Sequence, residues 1–214
     1  MSDKLKNKFD SIIFDLDGTL WDSAPTVSLA WQATKNQVDF VHEDVTPDMV
    51  RSIMGLTYDE IFKKLFPYLT EEQRLIFQKL CSVLELDVLN EHGGDLYPQL
   101  EETLKYLVSK YKLFVVSNCQ SGYIEIFLKT SKFSEYFSGY QCYGTKGQPK
   151  AENIKDIVKD HQLITPVYVG DTLGDYNSST KAGVPFIFAS YGFGKVETGQ
   201  IATINQLGDL KELL

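Results

Sequence analysis

The stretch Phe9-Asp10-Ser11-Ile12-Ile13-Phe14-Asp15-Leu16-Asp17-Gly18-Thr19-Leu20 decides how this chain is read. Its first half is a short apolar run with β-branched and aromatic residues, the pattern of a strand buried on both faces. Its second half, Asp-x-Asp-Gly-Thr, ends that strand and starts a loop. Side chains along a strand alternate, so Asp15 and Asp17 point to one side and Leu16 to the other. Gly18 permits close backbone approach, and Thr19 adds a hydroxyl and an amide at the same place. Paired carboxylates beside such a loop suit work on a phosphate. An Asp-x-Asp-Gly alone is more often a solvated turn or the start of a calcium loop, so the motif needs support from the rest of the chain.

Working outward, three further runs read as buried parallel strands: Lys112 to Ser117, Pro166 to Gly170 and Pro185 to Ser190, with a weaker one at Gly139 to Tyr143. Helical patterns fall between them, over Gln99 to Tyr111, Ser121 to Thr130, Ala151 to His161 and Leu173 to Ala182. Alternating strands and helices imply right-handed crossovers and a parallel sheet covered on both faces. The expected fold class is therefore α/β, a Rossmann-like doubly wound sheet with strand order 3-2-1-4-5. The strand ending at Asp15 is then central, between those ending at Ser117 and Asp171, and ligands bind beyond the carboxyl ends.

From Trp21 to His92 the rhythm breaks. This stretch has amphipathic segments and no convincing strand, and reads as an inserted helical domain. Pro25 and the pair Gly93-Gly94 mark its exits. The expected division is a core of residues 1–20 and 93–214 and a helical domain of residues 21–92. The aromatic residues of the insert (Trp31, Tyr58, Phe62, Phe66, Phe77) are expected to form its own core rather than a base-stacking platform.

Three later elements repeat the placement of the first. Ser117 and Asn118 follow one strand. Lys150 opens a helix, with Lys146 as a competing choice. Asp171 and Asp175 follow another strand in Gly170-Asp171-Thr172-Leu173-Gly174-Asp175, spaced by four at a helix N-terminus where the dipole favours negative charge. In this order the four elements resemble the signatures of the haloacid dehalogenase-like hydrolases, in the phosphatase branch with an α-helical cap. The resemblance spans essentially the whole chain. Its one departure is Lys150-Ala151-Glu152-Asn153, where the family often shows Lys-Pro-x-Pro.

The resemblance implies specific roles. Asp15 is the nucleophile that forms an aspartyl-phosphate, and Asp17 is the acid that protonates the leaving oxygen and later activates water. Gly18, Thr19, Ser117, Asn118 and Lys150 bind the phosphate. Asp15, Asp17, Asp171 and Asp175 hold a cation. An anionic carboxylate attacks an anionic ester only if the clustered charge is neutralised, and hard oxygen donors without a His or Cys cluster point to Mg2+. Arg51, in Arg51-Ser52-Ile53-Met54-Gly55-Leu56, resembles a substrate-facing segment of phosphoglycolate phosphatase-like enzymes. The expected activity is hydrolysis of a small phosphomonoester. A sugar phosphomutase of the β-phosphoglucomutase type shares these motifs and stands as the alternative, ahead of a phospho-accepting or phosphate-binding regulator.

Composition sets limits on partners. The chain has 214 residues, 43% hydrophobic and 23% charged, and a formal net charge of −8. That balance opposes binding to nucleic acid, which depends on a basic surface. No apolar stretch reaches the length of a membrane span, so a soluble cytoplasmic protein acting on a small phosphorylated metabolite is expected. Cys81, Cys119 and Cys142 are too few and too scattered for a disulfide framework and read as idle thiols. Gly192-Phe193-Gly194-Lys195 is neither a dinucleotide fingerprint nor a P-loop.

Overall fold

Strand β1, Ser11–Phe14, is buried along its whole length. The computed structural model describes residues 5–214. After β1 come the two-residue strand β2 (Trp21–Asp22) and four helices, α1 (Ala24–Lys35), α2 (Pro47–Arg51), α3 (Tyr58–Leu65) and α4 (Glu71–His92). The strand β3 (Asp95–Leu96) and helix α5 (Leu100–Val108) follow, then β4 (Lys112–Ser117), α6 (Tyr123–Ser131), β5 (Gly139–Cys142) and the single turn α7 (Tyr143–Lys146). The chain closes with α8 (Lys150–Asp160), β6 (Pro166–Gly170), α9 (Leu173–Ala182), β7 (Phe186–Ala189), β8 (Ala202–Ile204) and α10 (Leu210–Leu213).

Six strands form one parallel sheet in the order β5-β4-β1-β6-β7-β8. The first five reproduce the expected order, with β1 between β4 and β6 in register Phe14 to Val115 and Phe14 to Val169. The sixth, β8, extends the expected sheet by pairing Ile187 with Ala202 and Ala189 with Ile204. Both faces are covered, as the near-continuous apolar runs require. Ile12 and Phe14 face one side with Leu113, Val115, Val167 and Val169, under α5, α6 and α10. Ile13 faces the other with Phe114, Val116 and Tyr168, against Ile154 and Ile157 of α8.

Residues 24–92 are largely helical, and their aromatic side chains pack on one another within the cluster that also holds Ile12 and Phe14. Phe62 and Phe77 meet edge to face with centroids 5.7 Å apart, and Phe66 and Phe77 do so at 5.2 Å. The two ends of the insert are joined by an antiparallel ribbon in which Trp21 pairs with Leu96 and Asp22 with Asp95. Trp21 is fully buried and packs on Tyr123 and Phe127 of α6, which anchors the ribbon to the sheet. Among the described residues, no helix is long and apolar enough to cross a membrane.

Candidate active site

β1 carries Asp15 and Asp17 out of the sheet's carboxyl edge, β4 delivers Ser117, and β6 delivers Asp171, so the crossovers bring four distant segments together. Lys150, at the first position of α8, is 3% exposed and reaches across to Asp15 Oδ1 at 2.8 Å and Asp175 Oδ1 at 2.6 Å. Its partners stand 135 and 25 residues away in sequence. Lys146, the competing choice, instead pairs with Asp156 at the surface, which separates the two lysines by geometry.

Asp175 is held by its helix. Thr172 is the N-cap of α9, its hydroxyl accepting from the Asp175 amide while the Asp175 carboxylate accepts from the Thr172 amide and hydroxyl. This reciprocal capping box satisfies the helix end. It fixes one Asp175 oxygen on the cap and leaves the other for Lys150. Asp171 precedes the cap and accepts from the Phe193 amide at 2.7 Å and from the Thr19 hydroxyl at 3.4 Å.

Carboxylate oxygens of Asp15, Asp171 and Asp175 lie within 4.8 Å of one another, all buried. Three carboxylates face one ammonium in a buried site, so full ionisation would leave two negative charges uncompensated. Burial and the Asp175 charge push the Asp15 carboxyl up to about 7 against the pull of Lys150. Burial, Asp175 and Asp15 push Asp171 well above the usual carboxylate range. Burial opposes the Lys150 charge, but Asp15 and Asp175 outweigh it and hold the ammonium above its ordinary range. A hard divalent cation on these oxygens would relieve the repulsion, so the donor set fits such an ion.

Asp17 stands apart from that cluster. Its Oδ1 accepts from Ser23 Oγ at 2.6 Å, Trp21 Nε1 at 2.9 Å and the Tyr123 hydroxyl at 3.0 Å. Those three donors occupy Oδ1, and Asp17 is not among the carboxylates whose oxygens cluster. Burial raises Asp17 to about 6 in spite of those hydrogen bonds.

Asp15, Asp17 and Ser117 open on a cavity of about 40 Å³ roofed by Val50, Ile53, Met54, Leu56 and Tyr58 of the insert. Asn118 lines it too, donating to the Gly55 carbonyl at 2.8 Å and tying the β4 loop to the insert. Arg51 does not line it. Its guanidinium bonds Asp22 and Asp48, each at 2.9 Å, so the expected substrate contact is replaced by a brace onto the β2 ribbon. Arg51 Nε donates to Asp22 Oδ2 at 2.9 Å, and Nη2 lies 2.9 Å from the same oxygen, a charge-assisted contact that engages the guanidinium.

Gly18 has φ +82°, and a Cβ there would overlap the Asp171 carboxylate and the Phe193 ring. The loop Gly192 to Gly194, which matches no phosphate fingerprint, closes over Asp171 for the same reason of clearance. Gly18→Ala is therefore expected to cost at least about 2 kcal/mol in urea unfolding, from the left-handed backbone and the forced displacement of Asp171. Glu85 of α4, 3% exposed, also lines the cavity. It accepts from Trp31 Nε1 at 2.6 Å, Tyr58 at 3.0 Å and Gln120 at 2.9 Å. Burial raises it to about 7 even so. Cys119 and Cys142, distant in sequence, meet at the ends of β4 and β5, and a hydrogen bond from Cys119 lowers the Cys142 thiol to about 6.

Comparison with known proteins agrees with this arrangement. The family model described as haloacid dehalogenase-like hydrolase matches residues 12–189. The chain is 30% identical over 211 residues to a phosphoglycolate phosphatase of Aquifex aeolicus, covering 95% of each chain. It is 28% identical over 202 residues to a phosphoglycolate phosphatase of Vibrio vulnificus, covering 87% of this chain and 86% of the relative. A haloacid dehalogenase-like family hydrolase from Streptococcus pneumoniae superposes with a TM-score of 0.83 at 21% identity, covering 95% of this chain and 97% of its own. The family match across the sheet, together with a full-length relative at 30%, shows that the chain belongs to the haloacid dehalogenase-like hydrolases, in their phosphatase branch.

Proposed function

We propose that this chain hydrolyses a small phosphomonoester through an aspartyl-phosphate on Asp15. The observation that carries the reading is the buried Lys150, held between Asp15 and Asp175 beside a cavity that also contains Asp17 and Ser117. In this arrangement an Asp15 oxygen forms a bond to phosphorus as the bond to the leaving alcohol breaks, and Asp17 gives its proton to the departing oxygen. Asp17 then takes a proton from water as that water attacks phosphorus, the bond to Asp15 breaks, and inorganic phosphate leaves. Lys150 keeps Asp15 ionised and oriented, and Ser117 supplies a hydroxyl at the phosphate end. The raised pKa of Asp17 suits a group that must both give and take a proton near neutrality.

Asp15, Asp171 and Asp175 are the side chains that would hold Mg2+, which when bound supplies charge neutralisation of the transferring phosphoryl group. We further propose that residues 21–92 act as a cap, core residues 1–20 and 93–214 carrying the chemistry. Closure of the cap excludes water, and the Asn118–Gly55 contact holds the closed arrangement. Curated relatives named phosphoglycolate phosphatase make phosphoglycolate the first ester to assay.

The test is orthophosphate release from a panel of small phosphomonoesters, before and after treatment with EDTA. Chelation is expected to lower the rate by about 10³-fold or more, and added Mg2+ to restore it. Release unaffected by EDTA would contradict the metal assignment. Isomerisation of a hexose phosphate without release would favour the mutase chemistry that shares these motifs.

A further inference from the structure

We infer that Glu85 and Asn118 select the alcohol part of the substrate, and that this part carries a hydrogen-bond donor, a hydroxyl or an ammonium, rather than a carboxylate. The inference rests on the phosphatase reading above and concerns the part of the cavity wall formed by Glu85 and Asn118. Most side-chain donors on that wall are engaged: Trp31, Tyr58 and Gln120 donate to Glu85, Gln120 also donates to the Ser82 carbonyl, and one N–H of Asn118 donates to the Gly55 carbonyl. Acceptor capacity is left over. The Asn118 Oδ1 is buried with no partner, and a carboxylate offers about four acceptor positions, of which the three donors to Glu85 fill three.

No Lys, Arg or His lines the cavity among the described residues, and Arg51 is engaged by Asp22 and Asp48. A substrate carboxylate would therefore meet Glu85 without a cation to offset it, in a site where burial already makes negative charge costly. An incoming hydroxyl or ammonium does the opposite. It satisfies the orphaned Asn118 oxygen and places a donor, or a positive charge, on Glu85. An unpaired buried acceptor is penalised and its pairing rewarded, which makes this wall a source of discrimination as well as affinity.

The experiment compares kcat/KM of the full chain with Mg2+ for phosphoethanolamine, glycerol 3-phosphate and phosphoglycolate, in wild type and Glu85→Gln. Wild type is expected to favour the two donor-bearing esters over phosphoglycolate by about 100-fold or more. Preference for phosphoethanolamine identifies the donor as an ammonium, and for glycerol 3-phosphate as a hydroxyl. Glu85→Gln, which removes the charge and keeps the shape, is expected to shrink the ratio at least about tenfold, chiefly through KM. Equal or faster turnover of phosphoglycolate by wild type overturns the inference without any variant, and so does an unchanged ratio in Glu85→Gln. Failure to hydrolyse any of the three, or acetyl phosphate, contradicts the phosphatase reading itself and removes the basis of the inference.

Discussion

Asp15→Asn is expected to lower kcat by at least about 10⁴-fold, the scale on which loss of a covalent nucleophile is felt. The substitution keeps the shape of the side chain, and its amide oxygen can still accept from Lys150. It also removes a crowded, buried carboxylate, one that burial and then the Asp175 charge raise to about 7. The relief of repulsion offsets much of the lost ion pair, so unfolding stability should change by no more than about 1 kcal/mol. Steady-state assays beside urea unfolding curves check both halves. A well-folded Asp15→Asn protein that retains magnesium-dependent turnover would remove Asp15 from the chemistry.

Lys150→Met is expected to damage both stability and activity. Its ammonium is the buried cation that holds Asp15 and Asp175. Removing one partner of a buried ion pair typically costs about 3–5 kcal/mol, because the remaining charge is left uncompensated. Here the abandoned group is a cluster of three carboxylates, so the loss should sit at the upper end without metal and be smaller with Mg2+ present. The sign with pH follows from the direction of the shifts. Carboxylates whose folded pKa is raised bind protons more readily folded than unfolded, and losing Lys150 removes a group that lowers Asp15, so the variant should become less stable as pH rises above the ordinary carboxylate range. Activity should fall about 10³-fold, with the phosphate no longer met by the lysine. Lys146→Met provides the contrast. That lysine makes a partly exposed pair with Asp156, worth no more than about 1 kcal/mol, and activity should not change.

The parts of the fold legible in sequence were those set by long apolar runs. β1, β4, β6 and β7 each bury residues on both faces, and their runs show no polar alternation to confuse them with surface strands. β8 escaped because it has three residues, only one of them buried, and follows a glycine-containing loop. The ribbon of β2 and β3 escaped because two-residue strands have no periodicity. The site was legible where its residues sit at strand or helix ends, as Asp15, Ser117, Lys150 and Asp171 do.

Arg51 shows the limit of local reading. Its partner Asp22 lies 29 residues away, and nothing near Arg51 in sequence announces that ribbon. Glu85 did carry a signal. The buried residues of α4 are Phe77, Cys81, Glu85 and Leu89, a stripe of period four in which one position is a carboxylate. A charged residue in the apolar stripe of an amphipathic helix must find partners, and here it finds Trp31, Tyr58 and Gln120 around the cavity. On the proposed reading, the sheet's carboxyl edge holds the reacting groups, and residues 21–92 supply part of the wall that a substrate's other end meets.

The central claim is the covalent intermediate, and acid-quenched acetyl phosphate turnover by Asp17→Asn tests it most directly. Acetate needs no proton to depart, so phosphorylation should proceed while hydrolysis, which relies on Asp17 to activate water, stalls. Peptide mass spectrometry is predicted to find one phosphoryl group on the fragment containing Asp15, and none when Asp15→Asn is added. A phosphoryl group on any other residue, or continued hydrolysis with Asp15 unmodified at every quench time, would contradict the account.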